Sequence, residues 1–162
     1  MSKSALQIAR TSYVPKMPHV LNGNVQPKVG AATTSVSNQE EIKKLFPNTY
    51  GMPIITFEES KGEMGLDNPI NVWVILSGGQ APGGHNVIAG IFDGIKRLHP
   101  DSRLFGFILG PAGLVNYEYK ELTADIIDEY RNTGGFDIIG SGRTKLEEKE
   151  QFDKGLKILK KL

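Results

Sequence analysis

The stretch from Asn71 to Leu98, NVWVILSGGQAPGGHNVIAGIFDGIKRL, decides the fold of this chain of 162 residues. It opens with an apolar run from Val72 to Leu76, which predicts a buried strand. After a glycine-rich turn, apolar side chains recur at the spacing of one helix face as far as Leu98. The stretch therefore predicts a strand, a tight turn and a helix, in that order.

The turn in this stretch favours anion binding. Gly78 and Gly79 have no Cβ atom, so they tolerate positive φ angles and let a ligand approach the backbone closely. The helix after the turn is expected to direct its positive end at the same point, where phosphates bind. His85, rather than a lysine, follows Gly84, so the turn is not a Walker A loop, and it does not fit the dinucleotide-binding fingerprint either. The residues alone leave two interpretations: a phosphate loop, or a turn whose glycines only allow close packing of helix on strand.

The chain after this turn continues to alternate between apolar runs and amphipathic segments. Residues 104–109 and 136–139 predict two further strands, with an irregular polar loop at 110–119. Because strands and helices alternate with short connections, we expect parallel, right-handed βαβ units in an α/β, Rossmann-like fold. Strands that are apolar throughout are typical of a sheet covered on both faces.

Three helices are predicted in this half of the chain. The first follows the glycine turn, and its small residues Ala89, Gly90 and Gly94 are expected to let it lie close to the sheet. The second begins after Thr123 as N-cap and ends at the glycines 134–135. The third covers residues 147–162, with an apolar side formed by Phe152, Leu156 and Leu159.

Residues 1–70 have a different character from residues 71–162, and we interpret them as an N-terminal extension. They contain six of the nine prolines and little sustained periodicity. Residues 20–37 predict a long irregular connection. One short helix is expected over residues 38–46, with Asn38 as N-cap. Residues 71–162 are predicted to form a partial α/β domain.

The composition excludes several classes of protein. The net charge is +1, with 19 basic and 18 acidic residues, so bulk charge gives no reason to expect a nucleic-acid partner. Cysteine is absent, which excludes disulfides and zinc–thiolate sites. No apolar window approaches the length of a membrane span, so we expect a cytoplasmic protein without a membrane partner.

Three segments resemble one known family. The string GGQAPGGHN at residues 78–86 resembles the donor-phosphate loop of the pyrophosphate-dependent phosphofructokinases, in their long plant and bacterial form. The string GFDIIGSGRTK at residues 135–145 matches a second motif of that family, and residues 9–18 are similar to its N-terminal extension. The resemblance implies an incomplete N-terminal part of a phosphofructokinase fold, and we expect the chain to be part of a longer enzyme.

The resemblance also implies a reaction. Family members move a phosphoryl group from pyrophosphate to fructose 6-phosphate, giving fructose 1,6-bisphosphate and phosphate, with Mg²⁺ as cofactor. The resemblance places the family's catalytic base and metal ligands after Leu162, so no metal ligand is expected in this chain. We therefore expect residues 1–162 alone to bind pyrophosphate weakly at best and not to turn over.

Site residues are predicted from the strand ends and from the resemblance together. Ligands of open α/β sheets bind beyond the carboxyl ends of the strands, where Gly78, Gly110 and residues 140–143 are all expected. The resemblance gives Arg143 the contact with the transferring phosphate, which suits a forked, permanently charged guanidinium; the alternative is an ordinary surface arginine. The other expected pyrophosphate contacts are the backbone N–H groups of Gly78 and Gly79, the side chain of Asn86 and the positive charge of Lys145. Asn86 is expected either to brace the loop through its amide or to cap the helix. His85 belongs to the same motif and is expected to line the site.

Other readings of the same residues stay open. An ATP-dependent phosphofructokinase differs in residues that lie beyond this chain, and a non-catalytic regulatory subunit of the family keeps the fold without the chemistry. A generic nucleotide-binding module is the third alternative. The family also implies a homo-oligomer or an assembly with a regulatory subunit.

Overall fold

The computed structural model describes residues 3–21, 23–62, 65–79 and 81–160. The chain divides into two compact units, Pro15–Met64 and a second unit that combines Met1–Val14 with Gly65–Leu162. The predicted domain boundary after residue 70 stays a prediction. The helices and strands are α1 (Ala5–Ser12), β1 (Val25–Ala32), α2 (Gln39–Leu45), β2 (Pro53–Glu59), β3 (Asn71–Val74), α3 (Gly84–Leu98), β4 (Arg103–Phe107), α4 (Pro111–Asn116), β5 (Tyr119–Glu121), α5 (Ala124–Tyr130) and α6 (Lys149–Leu159).

The unit Pro15–Met64 contains an antiparallel strand pair that the sequence did not predict. Strands β1 and β2 pair from Val25 opposite Glu59 to Ala32 opposite Pro53, so the predicted irregular connection over residues 20–37 is wrong. The pairing partner of β1 lies beyond α2 in the chain, and no local pattern announces it. Helix α2 forms where it was expected, but Asn38 has a φ of 53° and makes no capping bond with its side chain.

The unit that contains the glycine turn is built on a three-stranded sheet in the order β3-β4-β5. Strands β3 and β4 are parallel and are connected through α3, which confirms the predicted α/β class and one parallel βαβ unit. Strand β5 is antiparallel to β4, so the prediction of a wholly parallel sheet is wrong. The reason lies in residues 110–119, where α4 and the left-handed Tyr117 (φ 63°) reverse the chain.

Apolar side chains cover both faces of this sheet, as the apolar strands predicted. On one face, residues of α3 and α5 pack in a buried cluster with Val74 and Leu104. On the other face, Trp73 stacks on Phe105 with ring centroids 4.4 Å apart, and Phe107 packs with residues of α4 and α6. Both faces of the sheet are therefore covered by packed side chains.

The predicted third strand over residues 136–139 does not form. These residues make a turn that is closed by a hydrogen bond from the Gly140 N–H to the Phe136 carbonyl (3.0 Å). Ile138 and Ile139 are only 1% and 2% exposed, so the run is apolar because it is buried and not because it is a strand. Parallel pairing occurs further on, in an isolated bridge between Gly142 and Ser77, which follows β3.

Helix α3 packs on the sheet through Ile88, Ala89, Phe92 and Ile95, which are all buried. The expectation that Gly90 and Gly94 provide close packing is wrong, because a Cβ atom on either would meet no heavy atom within 4 Å. Only Ala89 of the three small residues lies in the buried cluster.

Replacing Gly90 with alanine is expected to stabilise the chain. The position is exposed, helical and open, so a methyl group costs no packing while it removes the backbone entropy that glycine loses on folding. We expect the free energy of unfolding in urea to rise by about 0.5–1 kcal/mol. A decrease would mean that Gly90 has a contact that this structure does not show.

Helix α6 buries a different face from the predicted one. Phe152, Leu156 and Leu159 are all more than 40% exposed, whereas Gly155 and Ile158 are buried. The side chain of Leu114, on α4, lies close enough to Gly155 that a Cβ there would be 3.2 Å away. The neighbouring helix, rather than the apolar stripe, therefore decides which face is covered.

Candidate functional site

Two loops that are far apart in the sequence meet at the carboxyl end of β3. Gly78 donates its N–H to the Gly142 carbonyl (2.9 Å), and Gly142 donates its own N–H to the Leu76 carbonyl (3.3 Å). Gly110 lies against the same bridge, since a Cβ on it would be 2.6 Å from the Gly142 nitrogen. The structure thus brings together the three strand-end positions at which a ligand crevice was expected.

A cavity of about 630 Å³ opens at this junction. Its lining comes from the glycine turn, the start of α4 and the loop before α6, through Ser77, Gly78, Gly79, Pro111, Arg143, Thr144, Lys145, Leu146 and Glu147. Sequence reasoning named the two glycines, Arg143 and Lys145 but missed the hydroxyl residues Ser77 and Thr144. Ser77 directly precedes Gly78, and Thr144 directly follows Arg143. Their position next to predicted site residues could have identified them.

Arg143 lies directly on the glycine turn. A Cβ atom on Gly79 would be 2.7 Å from the Nη2 atom of Arg143, so the guanidinium occupies the space that a side chain there would need. Arg143 is exposed and forms no hydrogen bond or ion pair with any residue that the structure describes. A guanidinium that has no partner among the described residues, held against the Gly79 backbone, offers its donors to the cavity.

The backbone N–H groups of the turn are not all free for a ligand. The Gly78 N–H is used by Gly142, so Gly78, with a φ of 105°, contributes the shape of the turn rather than a donor. The N–H groups of Gly83 and His85 are likewise used, by the carbonyls of Gly134 (2.9 Å) and Gly135 (3.0 Å). These two amides at the start of α3 are therefore not available to an anion. The Gly79 N–H has no partner among the described residues.

Lys145 and Asn86 have different surroundings. Lys145 lines the cavity, is exposed, and its Nζ lies 3.4 Å from a carboxylate oxygen of Glu147. Asn86 is not among the residues that line this cavity. Its amide donates to the Oδ1 atom of Asn132 (3.3 Å), and Asn132 donates in turn to the carbonyls of Arg10 and Tyr13 (both 2.9 Å).

His85 lies in the interior rather than in the cavity, which corrects the expectation that it lines the site. It is 2% exposed, and its ring is in contact with Thr133, Ile138 and Tyr130. Burial lowers the pKa of His85 below its usual range, and the nearby Asp137 carboxylate opposes that effect. The histidine therefore belongs to the support of the site.

The described residues contain no group of three or more His, Asp or Glu side chains that could hold a metal ion. Mg²⁺ requires several oxygen ligands in octahedral geometry, so the part of the chain that is described does not fit a magnesium site. Among the described residues, there is also no helix that combines the length and apolar character needed to cross a membrane.

A comparison with curated proteins finds one group of relatives. The chain is 63% identical over all 162 residues to the pyrophosphate–fructose 6-phosphate 1-phosphotransferase of Porphyromonas gingivalis, and covers 29% of that protein. It is 35% identical to the alpha subunit of the enzyme of that name from Solanum tuberosum, over 98% of this chain and 27% of that one. A crystal structure of Pichia pastoris phosphofructokinase in the T-state matches with a TM-score of 0.46 and 19% identity, over 74% of this chain and 15% of that chain. No protein-family model matches.

The chain spans less than a third of the length of these curated relatives. Within that span the similarity is continuous and includes the glycine turn and the loop that carries Arg143, since the match to the Porphyromonas protein covers every residue. Over its whole length, the chain is thus similar in sequence to pyrophosphate–fructose 6-phosphate 1-phosphotransferases, of which it spans less than a third.

Proposed function

We propose that this chain holds the pyrophosphate donor of an enzyme that transfers a phosphoryl group to fructose 6-phosphate, giving fructose 1,6-bisphosphate and phosphate. The observation that carries the proposal is the position of Arg143, whose guanidinium lies on Gly79 at the cavity and has no partner among the described residues. The names of the relatives supply the substrates of the reaction.

The proposed contacts follow from the donors at the cavity. The guanidinium of Arg143 offers a planar fork that matches two phosphate oxygens and keeps its charge at any physiological pH. The Gly79 N–H adds a backbone donor beside it, and Lys145 adds a second positive charge. Phosphoryl transfer depends on positioning and on neutralising charge, and these groups contribute to both.

The remaining parts of the reaction are assigned outside the described residues. We propose Mg²⁺ as the cofactor of the whole enzyme, held by residues other than the described ones, which do not fit a magnesium site. Relatives are named as alpha and beta subunits, so we propose that the enzyme assembles as a homo-oligomer or with a regulatory subunit. We propose the cytoplasm as its location.

Binding of pyrophosphate to the full chain tests the proposal. We expect saturable chemical-shift changes of the Arg143 side chain and the Gly79 amide on titration with pyrophosphate. Inorganic phosphate is expected to bind more weakly and ATP no more tightly, because the proposed contacts recognise only the pyrophosphate group. Tighter binding of ATP would favour the ATP-dependent alternative, and unchanged Arg143 signals at saturating pyrophosphate would contradict the proposed site. A coupled assay is expected to show no turnover by residues 1–162 alone.

A further inference from the structure

His85 joins the first turn of α3 to the segment 133–138, which we call the 133–138 turn. Its Nδ1 atom is in hydrogen-bond contact with the hydroxyl of Thr133, and its Nε2 atom accepts the N–H of Ile138 at 3.0 Å. The fit is tight, because a Cβ atom on Gly135 would be 2.7 Å from the Cε1 atom of the ring. An almost fully buried side chain thus links α3 to this turn, beside the backbone hydrogen bonds from Gly83 to Gly134 and from His85 to Gly135.

The hydrogen bonds assign the tautomer of the ring. The Thr133 hydroxyl donates its proton to the Tyr130 carbonyl (2.6 Å), so it accepts a hydrogen bond from the Nδ1 atom of His85. The Nε2 atom then carries the lone pair that the Ile138 N–H requires. In this state the ring is neutral and both of its nitrogens are paired.

A second group competes for the same nitrogen. The Oδ1 atom of Asp137 lies 3.1 Å from the Nε2 atom, but a lone pair on Nε2 has no proton to give to a carboxylate. A protonated ring has that proton, and it then has no lone pair for the Ile138 N–H. Nε2 therefore forms a hydrogen bond with either the Ile138 N–H or the Asp137 carboxylate, and the protonation state of the His85 ring decides which one.

The 133–138 turn leads directly to the residues that place Arg143. The carbonyl of Ile139 accepts the N–H of Leu109 (2.8 Å), and Gly142 follows in the bridge to Ser77. The loop is thus fixed at the bridge and, through Ile138, at His85. Between these two points the chain has little freedom, since Ile138 and Ile139 are buried.

We propose that His85 is a positioning residue for the pyrophosphate site: its neutral ring holds Ile138, and through it the loop of Arg143, against the first turn of α3. When the ring is protonated, Nε2 loses its hydrogen bond with the Ile138 N–H and donates to Asp137 instead. The loop then becomes looser, so pyrophosphate binding weakens in acid. This inference rests on the proposed function, because it assigns the regulation of the same site.

The electrostatic surroundings support the proposed direction. Burial lowers the pKa of His85, so the neutral, Ile138-bound state is the one present near neutral pH. An unfolded chain takes up the proton near pH 6.5, so the contribution of the neutral ring is complete above that pH and is lost as the pH falls through the lower pKa of the folded state. Among the described residues, two titratable groups face the His85 ring. They are Asp137, on the 133–138 turn, and Tyr130, on α5, whose ring centroid is 4.8 Å from that of His85.

A pH titration of the full isotope-labelled chain by NMR tests the inference without a ligand. We expect the His85 ring, the Ile138 amide and the Arg143 Nε–H to shift with one common midpoint, and exchange of the Ile138 amide to quicken below it. In His85→Gln, which cannot take up a proton, the Ile138 and Arg143 signals are expected to stay constant. Asp137→Asn is expected to lower the midpoint of His85, because it removes the carboxylate that favours the charged ring.

Pyrophosphate binding gives a second readout. His99→Gln is the matched control, since it removes a histidine that has no contact with the 133–138 turn while leaving protonation of the ligand unchanged. Relative to His85→Gln, both the wild-type chain and the His99→Gln control are expected to bind pyrophosphate about 5-fold more weakly below the His85 midpoint than above it, at the lower end of coupling between two sites. His85→Gln is expected to show only the pH dependence that protonation of pyrophosphate itself causes.

The outcomes separate the two proposals. If pyrophosphate fails to bind to the wild-type chain, the proposed function fails, and the NMR titration still decides the role of His85. If Ile138 and Arg143 do not follow the titration of His85, the positioning role is overturned even where pyrophosphate binds. Should His85→Gln not fold, the common midpoint in the wild type and its displacement in Asp137→Asn still decide the matter.

Discussion

Replacing Arg143 with glutamine is expected to weaken pyrophosphate binding about 10- to 100-fold, which corresponds to the loss of hydrogen bonds between charged groups worth about 1.5–3 kcal/mol. The physical reason is that Arg143 supplies a charged fork at the cavity, whereas glutamine offers a short, neutral amide. The measurement is titration calorimetry with pyrophosphate at constant ionic strength. The free energy of unfolding is expected to change little, because the arginine is exposed and has no protein partner among the described residues.

Arg97→Gln provides the matched control for this experiment. Arg97 is exposed in the last turn of α3 and does not line the cavity, yet its replacement changes the net charge by the same amount. We expect it to leave pyrophosphate affinity within about twofold, since charges beyond a Debye length are largely screened. Equal losses in the two variants would mean that bulk charge, and not the guanidinium on Gly79, governs binding.

Replacing Gly142 with alanine is expected to give the largest loss of stability among the changes considered for this chain. A Cβ atom at this position would overlap the carbonyl oxygen of Leu109, which is backbone and cannot rotate away. Gly142 also makes both hydrogen bonds that tie its loop to the end of β3, so any displacement breaks them. We expect the free energy of unfolding to fall by about 3 kcal/mol, the upper part of the range for overpacking, as measured by urea denaturation.

Gly90→Ala is the control for this substitution, since the same methyl group is added where nothing lies within 4 Å. The two variants are expected to differ in sign, because one meets backbone and the other meets solvent. Equal effects would show that loss of glycine flexibility, rather than the close approach of Leu109, determines the result. A stable Gly142→Ala variant would mean that the junction of the two loops is looser than the structure shows.

The sequence was most informative where a segment folds on its own pattern. The apolar run of β3, the glycine turn and the periodic face of α3 are local features, and each one formed where it was predicted. Gly78 and Gly83 adopt the positive φ angles that only glycine adopts readily. Parallel pairing of β3 with β4 also followed, because a strand–helix–strand unit with short connections has few other solutions.

The predictions from the sequence were wrong where one residue pattern is compatible with two structures. A short apolar run is compatible with a strand or with a buried turn. Residues 136–139 form the turn: the Phe136 carbonyl accepts the N–H of Gly140, and the Ile138 N–H donates to His85. The apolar stripe of α6 likewise predicted the wrong buried side, since Leu114 of α4 decides which face is covered.

By itself, the sequence determined the glycine turn, the helix after it and the presence of an arginine in the second motif, because periodicity and residue type set these locally. Only the tertiary structure decided which backbone donors remain available. Gly78 and Gly79 are neighbours with the same chemistry, but the Gly78 N–H is used by Gly142 and Gly79 lies beneath Arg143. That difference comes from a loop distant in the chain, and a hydrogen bond depends on where its partner lies in space.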